Sequence, residues 1–453
     1  MTDRLPIAVI GAGPVGLAAA SHLLERGETP LVFEAGSEAG AAIREWQNVQ
    51  LFSPWRYNID RAAARLLRQA GWAAPDPDAL PTGRDLREQY LLPLATRTPL
   101  SNHIQYHSEV VAVGRSGQDK MKTAGRGRSP FTLQVKSGDA VTWVAARAVI
   151  DSSGTWFNPN PAGASGIAVP GEEAFASHIT YGIPDVLEAE RARYAGKTTL
   201  VVGGGHSAMH VVLDLAELQR EAPATQIIWA MRSPVEGAGR FGGGDDDALP
   251  ARGALGDHAR ATVQSGRVQV EAPFLTRAIE TSKEGASRLR VLGDQSGGSA
   301  MIDADELVVA TGFRPDLDML REVRLDIDPV TESVGDLAPL IDPNMHSCGT
   351  VPPHGVDTLK HPEENFFIAG MKSYGRAPTF LLATGYEQVR SIAAHLTGDE
   401  EAARRIELNL PETGVCSAPL PTNGAGEPAG ATAASCCGPA QPEAATQVTA
   451  CCA

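Results

Sequence analysis

Two glycine-rich turns, far apart in the chain, restrict its fold more than any other feature of the sequence. The first is Gly11-Ala12-Gly13-Pro14-Val15-Gly16, and the second is Gly203-Gly204-Gly205-His206-Ser207-Ala208; each follows a short apolar run typical of a strand. A pyrophosphate needs bare backbone N–H groups at a helix N-terminus, where a side chain would block its approach. Each unit therefore predicts a dinucleotide site. Two such sites predict a protein that passes electrons between two bound dinucleotides.

The first site has an acidic residue at the end of its second strand. The sequence after Gly16 predicts a helix that ends at Gly27, followed by a strand over Pro30–Glu34. A carboxylate at Glu34 can accept hydrogen bonds from a ribose 2′-hydroxyl, and it would repel a 2′-phosphate. The first site is therefore predicted to bind FAD or NAD and not NADP.

The second site has a basic residue at the corresponding place. Its second predicted strand, Thr225–Met231, ends at Arg232. A guanidinium binds a phosphate through two parallel hydrogen bonds, so Arg232 favours NADPH over NADH. The alternative is an ordinary charged residue at a strand end.

Composition limits the classes of partner. The chain has 453 residues, 43% of them hydrophobic, and a net charge of −15. We expect two or three domains with real cores and a small-molecule substrate, and no nucleic-acid partner, because polyanions would be repelled. The sequence predicts no transmembrane segment and no signal peptide, hence a cytoplasmic protein. It leaves the oligomeric state open.

Two strand-like runs near the second site predict an inserted domain. They are Ala148–Thr155 and Leu307–Asp316, where the chain is expected to leave and re-enter the first domain. The predicted fold is α/β, with two Rossmann-like dinucleotide-binding domains, the second inserted into the first. The predicted boundaries are 1–165 and 305–400 for the first domain and 166–304 for the second. Residues 411–453 are rich in Ala, Gly, Pro, Thr and Ser and are predicted to be a disordered tail.

With these motifs and the late run Ile368-Ala369-Gly370, residues 5–400 resemble the flavoproteins that bind two dinucleotides, among them thioredoxin reductases and flavin-containing monooxygenases. The runs Val49–Asn58, Asp119–Thr123 and His346–Gly355 resemble those of flavoproteins encoded in arsenic-resistance operons. That resemblance implies FAD at the first site and NADPH at the second. The FAD residues it implies are Gly11, Gly13, Pro14, Gly16, Glu34, Trp55, Val111, Gly312, Gly370 and Thr384, and the NADPH residues are Gly203, Gly205, Ser207 and Arg232.

The chain departs from both better-known groups of that superfamily. It has no CxxC or CxxxxC pair, which disulfide reductases of the thioredoxin and glutathione type carry beside the flavin. It also lacks the leading Phe and the spacing of the motif that flavin monooxygenases usually have between their domains. Met371 stands where an acid often meets the ribityl chain.

The six cysteines allow several roles. Four of them form adjacent pairs in the predicted tail, Cys436-Cys437 and Cys451-Cys452, and soft thiolates favour As(III) or another thiophilic ion. Incidental tail cysteines are the alternative. Cys348 lies near His346 and His354 and is a redox cysteine, a metal ligand or a residue of a polar loop.

The leading functional hypothesis is an NADPH-dependent FAD monooxygenase that oxidises a soft nucleophile, such as a trivalent arsenical or a thiol. Asn58 and Tyr374 are its candidate hydrogen-bonding residues near the flavin ring. One alternative is a disulfide or arsenical reductase that uses Cys348. The other is a metalloid-binding carrier whose flavin site is vestigial.

Overall fold

The computed structural model describes residues 5–234, 241, 249–282, 289–344, 351–377 and 380–408. The described residues lie within one compact unit, Met1–Pro419. The predicted tail, 411–453, lies outside the described residues.

The strands are numbered in chain order. They are β1 (Ile7–Ile10), β2 (Pro30–Phe33), β3 (Ile104–Gln105), β4 (Glu109–Arg115), β5 (Phe131–Ser137), β6 (Ala140–Ala146), β7 (Ala148–Asp151), β8 (Ile179–Tyr181), β9 (Thr198–Val202), β10 (Gln226–Ala230), β11 (Val268–Glu271), β12 (Leu275–Thr281), β13 (Leu289–Gln295), β14 (Gly298–Ala304), β15 (Glu306–Val309) and β16 (Phe366–Ile368).

The α-helices are numbered in the same way. They are α1 (Pro14–Glu25), α2 (Ala41–Arg44), α3 (Trp55–Asn58), α4 (Arg61–Gln69), α5 (Gly83–Asp85), α6 (Leu92–Arg97), α7 (Arg191–Tyr194), α8 (His206–Glu221), α9 (Pro250–Gln264), α10 (Ala338–Ile341), α11 (Leu382–Leu396) and α12 (Glu400–Arg404). A π-helical stretch, Leu86–Leu91, joins α5 to α6. Single 3-10 turns cover Pro99–Asn102, Arg126–Arg128, Ala176–His178, Asp318–Leu320, Val356–Thr358 and Gly370–Tyr374.

The first parallel sheet has the strand order β16-β7-β1-β2-β3. Its central strand β1 has the sequence Ile-Ala-Val-Ile, and all four side chains are buried because helices and loops cover both faces. The sheet takes its last strand, β16, from far beyond the others in sequence. The first dinucleotide site is therefore built from both ends of the described chain.

The second parallel sheet has the strand order β11-β10-β9-β15-β8 and is formed from residues that lie between β7 and β16. This arrangement confirms the predicted α/β fold with one nucleotide-binding unit inserted into the other. The strand Glu306–Val309 pairs with β8 and β9 and so belongs to the second sheet. The expected boundary at residue 305 thus falls just before a strand of the inserted unit, and the division into domains stays a prediction.

Two antiparallel sheets, β4-β5-β6 and β12-β13-β14, flank the parallel ones. The first is tied to the rest of the molecule by a buried cluster of charges. Glu363 accepts hydrogen bonds from the guanidinium of Arg115 at 2.8 Å and from that of Arg126 at 2.7 Å. Side-chain exposure is 2% for Glu363 and 1% and 5% for the two arginines. Burial alone would raise the pKa of the Glu363 carboxyl. The hydrogen bonds and charges of the two guanidinium groups together outweigh that effect, so the pKa is lowered.

Among the described helices, none is long and apolar enough to cross a bilayer.

Candidate functional site: two open glycine turns

The first glycine turn lies between the end of β1 and the start of α1. Gly11 has φ +97°, and a Cβ added there would lie 2.9 Å from the Ser152 carbonyl oxygen. A Cβ on Gly16 would lie 1.9 Å from the Gly11 carbonyl oxygen, so only glycine lets helix and strand approach this closely. A Cβ on Gly13, in contrast, would have no neighbour within 4 Å. The turn is crowded on the protein side and open at its middle glycine.

The open glycine is also the N-cap residue of α1. Gly13 has extended backbone angles, Pro14 is the first residue of the helix, and no described side chain caps it. No described side chain therefore caps the N–H groups of the first turn, where an anion is favoured. This geometry fits the pyrophosphate of FAD.

Glu34 lies beside the same turn, directly after β2. The Gly11 N–H donates to the carbonyl of Phe33, the last residue of β2, at 2.8 Å. The Glu34 carboxylate then accepts from the backbone N–H groups of Ala12 at 2.7 Å and Gly36 at 2.8 Å. Both carboxylate oxygens are thus held in place, and each retains lone pairs for a ribose hydroxyl.

The late segment of the chain closes on the start of α1. Gly370, with φ +73°, follows β16, and a Cβ there would lie 3.2 Å from the side chain of Val15. A Cβ on Gly385, in the first turn of α11, would lie 2.6 Å from the same side chain. The predicted FAD residues Gly13, Gly370 and Thr384 are therefore brought together at two helix N-termini.

Tyr374 is buried beside the start of α11, with 1% exposure. Its ring lies 5.2 Å from that of Phe380, and its hydroxyl forms a hydrogen bond with the side chain of Thr384. Burial raises the pKa of the Tyr374 phenol, so the group is neutral at physiological pH. Tyr374 supports the α11 turn, and direct contact with a flavin ring stays a prediction.

Asn58 is engaged in its own turn. It is fully buried, its amide donates to the Ser53 carbonyl at 2.7 Å, and its side-chain oxygen accepts from the Ser53 hydroxyl at 2.8 Å. The structure therefore gives Asn58 the role of closing the segment before α3, and its predicted contact with the ring is not tested. Trp55, which opens α3, is buried at 3% exposure. Val111 falls at a bulge, where the β4 register skips from Val110 to Ala112.

The second glycine turn repeats the first between β9 and α8. The Gly203 N–H donates to the carbonyl of Ala230, the last residue of β10, at 3.1 Å. Gly203 has φ +140°, and an added Cβ would lie 2.3 Å from the Ala310 carbonyl oxygen. A Cβ on Gly205, the N-cap residue of α8, would have no neighbour within 4 Å, and no described side chain caps the helix. This turn also fits a pyrophosphate.

The residues predicted to select NADPH lie at the same edge. Ser207 is the second residue of α8. Arg232 follows β10 and is exposed; its guanidinium donates to the Ala164 carbonyl at 3.3 Å. Among the described residues this one long bond is the only hydrogen bond of the Arg232 guanidinium, which leaves further donors for a phosphate.

The chain passes between the two parallel sheets twice, once after β7 and once after β15. Asn160 connects these two segments. Its side-chain nitrogen donates to the Thr311 carbonyl at 3.1 Å, and its side-chain oxygen accepts from Arg314 Nε at 2.9 Å. The backbone N–H of Asn160 donates to the carbonyl of Gly312 at 2.9 Å, and Gly312 has φ +88°. The turn predicted to meet the flavin is thus positioned by a residue that the sequence did not single out, because a lone Asn in a loop carries no pattern.

A buried ion pair underlies the first site. Lys372 Nζ lies 2.7 Å from a carboxylate oxygen of Asp151 and 3.0 Å from the Ser153 hydroxyl, with side-chain exposures of 1% and 0% for the ionic partners. Asp151 ends β7, so the pair fixes the turn that packs against Gly11. Sequence reasoning missed it because the partners are far apart in the chain.

The side of α8 carries groups whose ionisation is suppressed. Burial lowers the pKa of His210 to about 4, aided by the neighbouring His206. Burial raises the pKa of Asp214 to about 7, aided by the charge of Asp185. Among the described residues, no group of His, Cys, Asp and Glu has the arrangement of a metal site. Cys348 and the predicted metal ligands Cys436, Cys437, Cys451 and Cys452 lie outside the described residues.

The comparisons with known proteins agree with this geometry. Residues 8–228 match the family model "Pyridine nucleotide-disulphide oxidoreductase". This match covers just under half of the chain, which is similar to the family over those residues. The match spans both glycine turns and ends at residue 228, within β10. The prediction of a pyridine nucleotide-dependent flavoprotein oxidoreductase is thereby confirmed at the level of class.

Curated relatives match about half of the chain. The flavin-containing monooxygenase FMO GS-OX-like 2 of Arabidopsis thaliana is 24% identical over 242 residues, which are 49% of this chain and 49% of the relative. Monooxygenase cfoE of Aspergillus candidus is 29% identical over 232 residues, 49% of this chain and 35% of the relative. The match thus covers half or less of the length of these relatives.

Solved structures share the fold over most of the chain. The bacillithiol disulfide reductase Bdr (YpdA) of Bacillus cereus superposes with a TM-score of 0.65 at 19% identity, covering 87% of this chain and 99% of that one. The ornithine N-hydroxylase KtzI of Kutzneria sp. 744 gives a TM-score of 0.56 at 16% identity, covering 88% and 100%. None of these names mentions arsenic, so the resemblance to arsenic-resistance flavoproteins gains no support from them.

Proposed function

We propose that the chain is an NADPH-dependent FAD monooxygenase that oxygenates a soft nucleophile, either a trivalent arsenical or a thiol. The observation that carries the proposal is the pair of glycine turns, each open at its middle glycine and each backed by an uncapped helix N-terminus. The relatives named as monooxygenases support the reaction class.

Different residues of the chain would bind the two nucleotides. The first turn of α1 would bind the FAD pyrophosphate, and Glu34 would accept from the ribose. The first turn of α11, beside Gly370 and Thr384, would stabilise negative charge on the reduced ring. Gly205 and Ser207 would bind the NADPH pyrophosphate, and Arg232 would bind its 2′-phosphate. When bound, FAD supplies the redox chemistry, by which NADPH, a proton, O₂ and substrate give NADP⁺, water and the oxygenated substrate.

The absence of a CxxC or CxxxxC motif from the sequence argues for oxygen as the electron acceptor. All six cysteines are too far apart, or directly adjacent, for a CxxC or CxxxxC motif. A disulfide acceptor is reduced by thiol–disulfide exchange, which needs an attacking thiolate near the flavin.

Oxygen consumption tests the proposal. Purified protein is mixed with NADPH in an oxygen electrode, with arsenite or a thiol, and with arsenate as the matched control that is already oxidised. We expect arsenite or the thiol, and not arsenate, to raise oxygen uptake in step with NADPH oxidation. NADPH oxidation at the same rate with and without oxygen would exclude a monooxygenase.

The second candidate is a reductase of a disulfide or an arsenical that uses Cys348. The family model named for disulphide oxidoreductases favours it. The substitution Cys348→Ser separates the two: a reductase loses activity with a disulfide acceptor at normal FAD content, whereas the monooxygenase keeps its oxygen uptake.

The tail supplies a third candidate, a metalloid carrier with a vestigial flavin site, whose ligands would be the adjacent cysteines Cys436, Cys437, Cys451 and Cys452. Deletion of 411–453 distinguishes it. A carrier loses arsenite binding and function together, and an enzyme keeps its turnover at saturating substrate.

A further inference from the structure

We call the part of the chain that carries the first parallel sheet, β16-β7-β1-β2-β3, the first unit, and the part that carries the second, β11-β10-β9-β15-β8, the second unit. Phe52, an aromatic residue of the first unit, reaches the helix that carries the second glycine turn. The Phe52 ring lies 5.4 Å from the His206 ring in an edge-on arrangement and 5.6 Å from the His210 ring in a stacked one. These histidines are the first and fifth residues of α8. Val49 and Phe52 both pack against the buried core of the second unit. The contact therefore sits beside the N–H groups that would bind the second pyrophosphate.

The segment that carries Phe52 is fixed to the first unit on both sides of the ring. The Leu51 N–H donates to the Pro81 carbonyl at 2.9 Å, and the Trp55 N–H donates to the Ala79 carbonyl at 3.0 Å. The Val49 carbonyl accepts from the Gly83 N–H at 2.9 Å. Backbone hydrogen bonds thus hold the segment in place on both sides of Phe52, whose ring is only partly exposed.

The same segment continues to the first dinucleotide site. Ser53 and Asn58 bond to each other through side chain and backbone, and the Tyr386 hydroxyl donates to the Asn58 carbonyl at 2.8 Å. Tyr386 lies in the first turn and a half of α11, two residues after Thr384. A continuous set of contacts therefore joins the start of α8, through Phe52 and Asn58, to the start of α11.

The electrostatics of the stack favour a fixed contact. His210 Nε2 is buried and has no hydrogen-bond partner among the described residues. Burial lowers the pKa of His210 to about 4, so its imidazole is neutral at pH 7 and can lie flat on the Phe52 ring without a buried charge.

We propose that Phe52 is a positioning residue that sets the distance and orientation between the two dinucleotide sites. The role rests on the proposed function, in which NADPH held at the second glycine turn would reduce FAD held at the first by hydride transfer. Such a transfer requires the reacting atoms about 3–3.5 Å apart, and a misplacement of about 1 Å costs about 100-fold in rate. A ring that fixes α8 against the FAD side controls that distance.

The test compares Phe52→Ala with Phe52→Tyr, which keeps the ring, and with Phe157→Ala, whose side chain is 73% exposed. The first measurement is amide hydrogen exchange of residues 206–212 in protein without nicotinamide. We expect faster exchange in Phe52→Ala and wild-type exchange in the other two variants. Unchanged exchange in Phe52→Ala would overturn the proposal, whatever the protein does with NADPH.

The second measurement is the rate of flavin reduction by NADPH in anaerobic stopped flow. We expect Phe52→Ala to be slowed about 10- to 100-fold, since the ring is lost but the glycine turns are intact. FAD content and the NADP⁺ dissociation constant stay within about twofold of wild type if the effect is positional. Restoration of the rate by Phe52→Tyr supports the role; a wild-type rate in Phe52→Ala overturns it. Wild-type protein that NADPH cannot reduce would refute the proposed function, and the exchange measurement would still decide the contact.

Discussion

The middle glycine of the second turn offers a substitution that tests the site without disturbing the fold. Gly205 has φ −95°, an angle open to any residue, and a Cβ added there meets nothing within 4 Å. Gly205→Ala reduces the conformational freedom of the unfolded chain, which raises the free energy of unfolding by about 0.4–1 kcal/mol. The substitution also lowers the free energy of unfolding by a similar amount, because alanine is a poorer N-cap residue than glycine. We therefore expect the free energy of unfolding to stay within about 1 kcal/mol of wild type.

The same methyl group occupies the space in which the NADPH pyrophosphate would lie. If it displaces two charge-assisted N–H bonds, each about 1.5–3 kcal/mol, binding weakens by about 3–6 kcal/mol. That loss corresponds to an increase of about 140- to 20,000-fold in the dissociation constant. The assay is calorimetric titration with NADP⁺, together with thermal unfolding and FAD content.

Gly298→Ala is the matched control. Gly298 lies in β14, far in sequence from either turn, and a Cβ there would have one neighbour, at 3.9 Å. We expect this variant to bind NADP⁺ like wild type. Wild-type NADP⁺ affinity in Gly205→Ala would refute the assignment of the second turn to a pyrophosphate.

Four further predictions follow from individual side chains. Arg232→Ala should weaken NADPH binding about 10- to 100-fold and leave NADH binding unchanged, because only NADPH carries the 2′-phosphate; equal effects on both in a titration would contradict this. Glu363→Ala should cost about 3–5 kcal/mol in chemical denaturation, because two buried guanidinium groups lose their partner. Since the folded state lowers the pKa of Glu363, its contribution is present above the unfolded pKa and lost as the pH falls. Asp214→Asn should stabilise the protein above pH 7 by at most about 4 kcal/mol, because the folded pKa of Asp214 is raised to about 7 and its ionisation opposes folding; unfolding curves at pH 5 and pH 8 measure this. Asn160→Ala should shift the flavin absorbance spectrum or lower FAD content, and no change in either would remove Asn160 from the site.

The sequence predicted those parts of the site that depend on local geometry. A strand, a glycine turn and a helix follow one another within about 20 residues, so the turns at Gly13 and Gly205 could be located from spacing alone, and their binding of dinucleotides stays a prediction. The helix predicted to end at Gly27 ends at Glu25, and the strand predicted over Pro30–Glu34 covers Pro30–Phe33, so both elements are confirmed to within two residues.

The remaining features depend on contacts between distant residues. A short strand such as Glu306–Val309, with three apolar residues, is compatible with either sheet, and its pairing with β8 and β9 places it in the second. Asn58 carried no sign that it would bond to Ser53, five residues earlier. Glu363 meets arginines 237 and 248 positions away, and Phe52 lies in a loop segment with no periodicity. Neither contact leaves a pattern that a single sequence can show.

The measurement that tests the account most directly is the visible absorbance of the purified protein during anaerobic titration with NADPH. We predict a yellow protein that contains FAD and loses its oxidised-flavin absorbance on addition of about one equivalent of NADPH per flavin, with NADH much less effective. A colourless protein that takes up no FAD, or a bound flavin that NADPH leaves oxidised, would contradict the account.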